Sequence, residues 1–195
     1  MMDNNLIDFI PVNDRICKIR LKTSFYNITM VSVHAPTEEK ELDVKEEFYA
    51  HLERVTDSIP NYDMKITLGD FNVQVGKSLH DETNDNGMRM VDFASGKDMA
   101  VTGTWFQHKN IHKGTWTSPD KKTINQIDHI LVDRRHCSNV CDVRTRRGAN
   151  IEPDHFLVCM KLRLKLKTNS TGNTKGREVE KWNIQGGAKC IVQKE

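Results

Sequence analysis

Residues 16–22, ICKIRLK, alternate apolar and basic side chains: Cys17, Ile19 and Leu21 on one side, Lys18, Arg20 and Lys22 on the other. A period of two predicts a half-exposed strand. FYNITMVSVH, residues 25–34, follows after a two-residue gap and is rich in β-branched and aromatic types. It predicts a second strand, and the two together a hairpin. Pro36 breaks the strand, and Thr37 is placed to cap a helix with Glu38 and Glu39 in its first turn. Leu42, Phe48, Leu52, Val55 and Ile59 then recur at helical spacing until Pro60 and Asn61 end the run. MKITL, 64–68, reads as a short buried strand, so strand, helix and strand make a βαβ-like pass.

Beyond it lies a polar loop, 74–86. A short helix is expected near 87–97, with Met88, Val91 and Ala94 on one face, and a strand over 99–104. GTWTSPDKKTINQIDHILVD predicts strand, turn and strand, with Pro119 and Asp120 at the turn. HFLVCMKLRLKL, 155–166, alternates again: Phe156, Val158, Met160, Leu162 and Leu164 are expected to face inward. The fold class is therefore α/β with a mixed sheet, since hairpins and a helical crossover occur together. From 167 onward periodicity is lost among Thr, Asn, Ser and Gly. The expected organisation is one domain over 1–167 and a flexible polar tail over 168–195.

Composition narrows the class. The chain has 195 residues, 37% hydrophobic and 29% charged, which suits one soluble domain or part of a larger one. The net charge of +2 hides an asymmetry. Residues 38–58 are acidic, and 134–147 and 161–195 are basic; a basic surface can hold phosphates or be simply a solvated face. No run approaches the ~20 apolar residues of a membrane span. MMDNNLIDFIPVNDR has no basic n-region, long apolar run or small-residue cleavage site. The five cysteines show no framework spacing and are read as reduced thiols. The expected location is intracellular, nuclear or cytoplasmic, with no secretion and no membrane partner. His136 with Cys137 and Cys141, and His108 with His112, resemble fragments of zinc sites, but no four-ligand set is complete.

The chemistry-bearing residues gather at strand ends. Asp70-Phe71-Asn72 follows ITLG, Asp128-His129 lies in NQIDHILV, Asp154-His155 precedes FLVCM, and His34 ends TMVSVH. Each alone has a plainer reading. Asp70 and Asn72 suit a turn, Asp154 after Pro153 also suits a turn, and a lone His34 or Asp128 can be structural. Asp128 and His129 must face opposite sides of their strand, so one of them is structural. Together they supply what phosphodiester hydrolysis needs. Asp offers hard oxygen ligands for a metal, His a base or a donor, a second carboxylate orients an imidazole, and Asn donates to phosphate. Asp128 and His155 are expected within hydrogen-bond reach, which asks that NQIDHILV and HFLVCMKL be neighbours.

The ordered set VSVHAPT, LGDFNVQVG, NQIDHILVD and PDHFLV resembles the endonuclease/exonuclease/phosphatase superfamily, and more finely the endonucleases of non-LTR retrotransposons of the craniofacial development protein 2-like kind. The resemblance runs from about residue 6 to 166. It implies a four-layer α/β sandwich, two mixed sheets packed face to face with helices outside, and a Mg²⁺-dependent (Mn²⁺ possible) phosphodiesterase or DNA endonuclease. By the same resemblance Asp70 and Asn72 sit at the reaction centre, Asp154 holds Mg²⁺, His155 contacts the scissile phosphate and Asp128 orients His155. His34 lies near the phosphate oxygens, and Trp116 lines the nucleic-acid side of the cleft. DNA is the implied partner, and protein partners are left open.

Three departures accompany the match. The family's first strands, which carry an Asn and the main metal-binding Glu, have no counterpart before DFIPVNDRI, so the sandwich is expected to be partial. VGKSLHDETNDNG is shorter than in relatives, and Pro153 stands where Ser is usual. Two readings stay open: an enzyme by descent, or an inactive remnant that binds nucleic acid or protein.

Overall fold

The computed structural model describes residues 5–76, 79–147 and 154–164, and the backbone of Trp182–Asn183 and Cys190–Gln193. The chain runs β1 (Leu6–Pro11), β2 (Ile16–Leu21), β3 (Ile28–His34), α1 (Leu42–Asp57), β4 (Met64–Asp70), α2 (Asp85–Gly96) and β5 (Met99–Val101). It continues through β6 (Trp116–Thr117), β7 (Ile124–Asn125), β8 (Asp128–Asp133), β9 (Val140–Arg146), β10 (Leu157–Leu162), β11 (Trp182–Asn183) and β12 (Cys190–Gln193). Short 3-10 turns span Thr102–Thr104, Asn110–His112 and Arg134–Asn139.

Two mixed sheets and a small ribbon result. The larger sheet has the order β1-β2-β3-β4-β8-β5, the second β11-β12-β10-β9, and β6 pairs with β7 alone. β2 and β3 form the expected hairpin. β3 and β4 are parallel because α1 returns the chain to the same end of the sheet. β4 and β8 are antiparallel.

Alternation along the central strands separates two cores. Val31, Val33 and Leu131 turn toward Phe48, Leu52 and Val55 of α1 and Met90, Phe93 and Ala94 of α2. Met30, Ile66, Leu68, Ile130 and Val132 turn the other way and meet Val140, Val143, Met160 and Leu162 of the second sheet. The layering is thus helices, sheet, sheet: the α/β sandwich, with its helical layer outside the larger sheet. β1 forms an outer strand of that sheet, where Leu6, Ile7, Phe9 and Ile10 are exposed along an edge open to pairing.

Several boundaries depart from the sequence pattern. α1 begins at Leu42, and no side chain caps it. Thr37 instead accepts Lys40 N–H through its carbonyl in a turn. Glu38 is drawn into a tertiary role, accepting from Asn84 Nδ2 at 2.8 Å and from Asn86 N at 3.3 Å. The expected strand over 99–104 stops at Val101, because Thr102 turns into a 3-10 segment and donates its hydroxyl to Ile130 O at 2.8 Å. In β10, Leu157 and Cys159 are buried as well as Met160 and Leu162, so both faces are covered. β1 and β9 carry no alternation strong enough to be assigned beforehand. The tail expected to be flexible from 168 lies outside the described residues except for β11 and β12, and so does Pro153. No described helix is long and apolar enough to cross a membrane.

Candidate active site

The site grows out of the ends of three adjacent strands. In the larger sheet His34 pairs across from Asp70, and Asp70 from Asp128. The exit from β4 is made possible by Gly69, whose φ is +141°. A Cβ there would lie 2.0 Å from Val33 O, so no side chain fits between β3 and β4 at that level. Asp70 then folds the chain back on itself: its Oδ1 accepts Asn72 N–H at 2.8 Å, and Asn72 takes the left-handed φ of +52°. Asn72 Nδ2 donates to Ala35 O at 2.8 Å, which commits one amide hydrogen and leaves the other. Asp70 and Asn72 therefore form this turn at the end of β4.

Asp128 and His155 meet, at 3.1 Å between Oδ2 and Nδ1. They do so differently from expectation. β8 and β10 are not sheet neighbours; they lie in opposite sheets. The segment leading into β10 is stitched instead to β6. Thr117 N donates to Asp154 O at 2.8 Å, Phe156 N donates to Thr115 O at 2.7 Å, and Trp116 bridges His155 in an antiparallel backbone pair. The ribbon of β6 and β7 thus carries the His155 segment to the mouth of the larger sheet. Trp116 is half-buried in that ribbon, and Asp154 sits beside His155. His34 Nε2 is 3.9 Å from Asp70 Oδ2 and its side chain is 66% exposed, the most open group of the set. His129, on the other face of β8, is 2% exposed; burial pushes it down to about 4, so it is a neutral core residue. The sequence reading missed Thr115, whose buried hydroxyl holds the start of β8. Its partners lie 12 and 13 residues away, and no local pattern marks it.

No protein-family profile matches the chain. Its sequence is 34% identical over 164 residues to craniofacial development protein 2 of Bos taurus, covering 80% of this chain and 28% of that protein. The chain is a homologue of part of craniofacial development protein 2. It spans 28–30% of the length of the curated relatives it matches. Among solved structures, the endonuclease domain of TRAS1, a telomere-specific non-LTR retrotransposon, is similar with a TM-score of 0.61 at 17% identity, over 80% of this chain and 66% of that one. The 3′ phosphatase NExo from Neisseria, bound to product DNA hairpin, is similar with a TM-score of 0.59 at 16% identity, over 77% of this chain and 68% of that one. At these identities the likeness fixes the fold, that of the endonuclease/exonuclease/phosphatase proteins.

The groups at this mouth shift one another's ionisation. Burial, with the neighbouring Asp128 carboxylate, pushes Asp70 up to about 6; the N–H of Asn72 and the imidazoles of His155 and His34 only partly oppose this. His155 is held above the usual histidine range, first by its hydrogen bond to Asp128, and further by Asp70 and Asp154. Asp70 and His155 thus sit close enough to each other and to Asp128 for their ionisation to be shifted. Among the described residues no three His, Cys, Asp or Glu side chains converge as a ligand group. Mg²⁺ tolerates such a sparse set, because it binds one or two carboxylates and keeps several waters.

This predicts that Asp70→Asn stabilises the apo chain. Raising the Asp70 carboxyl from 3.8 to about 6 means that the folded state binds an extra proton between those values. Stability is then full below about pH 4 and is lost as pH rises through about 6. Removing the charge should gain roughly 1–3 kcal/mol at pH 7.5 and nothing near pH 3.5. Thermal melts in EDTA at the two pH values measure it. A gain that is equal at both would point to packing rather than charge.

Proposed function

We propose that this chain carries the site of a Mg²⁺- or Mn²⁺-dependent phosphodiesterase of the DNA endonuclease type, by descent from a retrotransposon endonuclease. The observation that carries the reading is the convergence of Asp128–His155 with Asp70 and Asn72 at one strand-end mouth, on the fold that TRAS1 and NExo also have. Asp70, with its carboxyl near neutrality, accepts a proton from the attacking water. The hydrogen bond to Asp128 favours the charged form of His155, whose Nε2–H, when protonated, donates to an oxygen of the scissile phosphate. The remaining amide hydrogen of Asn72 donates to the phosphate without adding negative charge. His34 contacts phosphate oxygens from the open side, and Trp116 flanks the nucleic acid. Asp154 and Asp70 would hold a divalent ion, which would supply stabilisation of the charge that develops on the phosphate.

A second reading, a binding module without turnover, is favoured by one observation: no three metal-ligating side chains converge among the described residues. Nicking of supercoiled plasmid in Mg²⁺ over long incubations tests the first. Asp128→Asn should lower any nicking at least ~100-fold, since it removes the group that orients and charges the imidazole. Nicking that survives Asp128→Asn would come from elsewhere.

A further inference from the structure

Asp128 opens β8 of the larger sheet, while His155 precedes β10 and is bridged to Trp116 of the ribbon, so something must set their spacing. Thr115, 1% exposed, touches both halves. Its Oγ1 accepts Ile127 N–H at 2.9 Å and Asp128 N–H at 3.1 Å, so one hydroxyl pins the first residue of β8. Its carbonyl accepts Phe156 N–H at 2.7 Å, one residue beyond His155. Its own N–H donates to Asn125 O at 2.8 Å, fixing it to β7. Gly114 allows this close approach, because a Cβ there would lie 2.2 Å from Ile124 Cγ2. All four bonds leave a single residue whose own position is determined by the ribbon.

We propose that Thr115 is the positioning residue of the Asp128–His155 pair, its hydroxyl setting the aspartate and its carbonyl setting the histidine. The proposal rests on the reading of this pair as part of a phosphodiesterase site. The two contacts separate cleanly by substitution. The carbonyl bond to Phe156 is main-chain and survives any side-chain change. The hydroxyl bonds do not, and a buried N–H without an acceptor drives the backbone to rearrange. Thr115→Val, of the same shape, therefore releases Asp128 while leaving the His155 segment in place. Thr115→Ser keeps the acceptor and should behave like the native residue.

The test compares native chain, Thr115→Val and Thr115→Ser in two readouts. The first is the proton NMR signal of His155 Nδ1–H at one fixed pH, which is visible when the hydrogen bond to Asp128 protects it. The second is plasmid nicking, resolved into maximal rate and KM. Thr115→Val should lose the signal and roughly 10- to 100-fold in maximal rate with KM little changed, and Thr115→Ser should retain both. Retention of the signal by a folded Thr115→Val overturns the proposal, as does its loss in a folded Thr115→Ser. If the native chain nicks too slowly to measure, the phosphodiesterase reading suffers, but the NMR comparison still decides the role of Thr115. If Thr115→Val does not fold, Thr115→Cys replaces it. Its sulfur is a weak acceptor, so a weakened signal supports the role and an undiminished one refutes it.

Discussion

Supercoiled plasmid incubated with the polypeptide 1–195 in millimolar Mg²⁺ should remain almost entirely closed. The reasoning is electrostatic. Among the described residues the carboxylates at the mouth are Asp70, Asp128 and Asp154, and Asp128 is already engaged with His155. That leaves at most two acids for a strongly hydrated cation, and burial beside Asp128 makes Asp70 reluctant to ionise. The ion's stabilisation of charge on the phosphate is worth several kcal/mol. Each ~1.4 kcal/mol is a factor of ten in rate, so a weakly held ion should cost on the order of three orders of magnitude or more. His155, Asn72 and His34 remain able to hold phosphate, so weak DNA binding that fades with salt should persist. Nicking rates with and without Asp154→Ala provide the measurement. Brisk nicking by 1–195 that vanishes in Asp154→Ala would sink the remnant reading.

The second large effect concerns stability. Asp63→Ala should lower the melting temperature by about 10 °C, from a loss of about 3–5 kcal/mol. Asp63 is 0% exposed and lies in the turn before β4. Arg20 Nε on β2 donates to its Oδ2 at 2.7 Å and Nη2 to its Oδ1 at 3.0 Å, while Thr29 Oγ1 on β3 donates to Oδ2 at 2.6 Å. One carboxylate thus joins β2, β3 and the start of β4. Burial by itself would raise the carboxyl, but the bonds from Arg20 and Thr29 outweigh it and hold the group below the usual range. Its contribution is therefore present above the unfolded value of about 4 and is lost as pH falls through the lower folded value. Removing the acid leaves Arg20 and Thr29 donors without their acceptor, and that accounts for the size of the loss. Circular-dichroism melts at pH 7 check it, and a shift within about 2 °C of native would show the pair to be dispensable.

The exposed β1 edge shows how far such local reasoning reaches. A strand of six residues with one charge, Asp8, and exposed Leu6 and Phe9 has the features of a pairing edge. Yet the period-two signal that marked β2 is absent there, because β1 has no buried face to impose alternation.

The sequence by itself determined which residues could form strands and which a helix. The repeat from Phe48 to Val55 buries one side of α1, and burial of one side writes a period into the chain. It also determined the candidate set, His34, Asp70, Asn72, Asp128, Asp154 and His155, because their types and order at strand ends are chemical facts of the chain. Only the tertiary structure decided how the set assembles. Asp128 and His155 are 27 residues apart, and they meet between the end of a strand of the larger sheet and a segment bridged to the ribbon, not along one sheet. Glu38 left the expected first turn of α1 because Asn84 and Asn86, nearly fifty residues on, offered it donors. Thr115 holds both halves of the dyad through partners from 10 to 41 residues away. Asp70 is pushed up to about 6 because chain folding buries it beside Asp128. Periodicity records what a residue shares with its neighbours three or four positions away. Hydrogen bonds and charge interactions depend on separation in space, and only the packing of helices, sheets and ribbon brings those partners together.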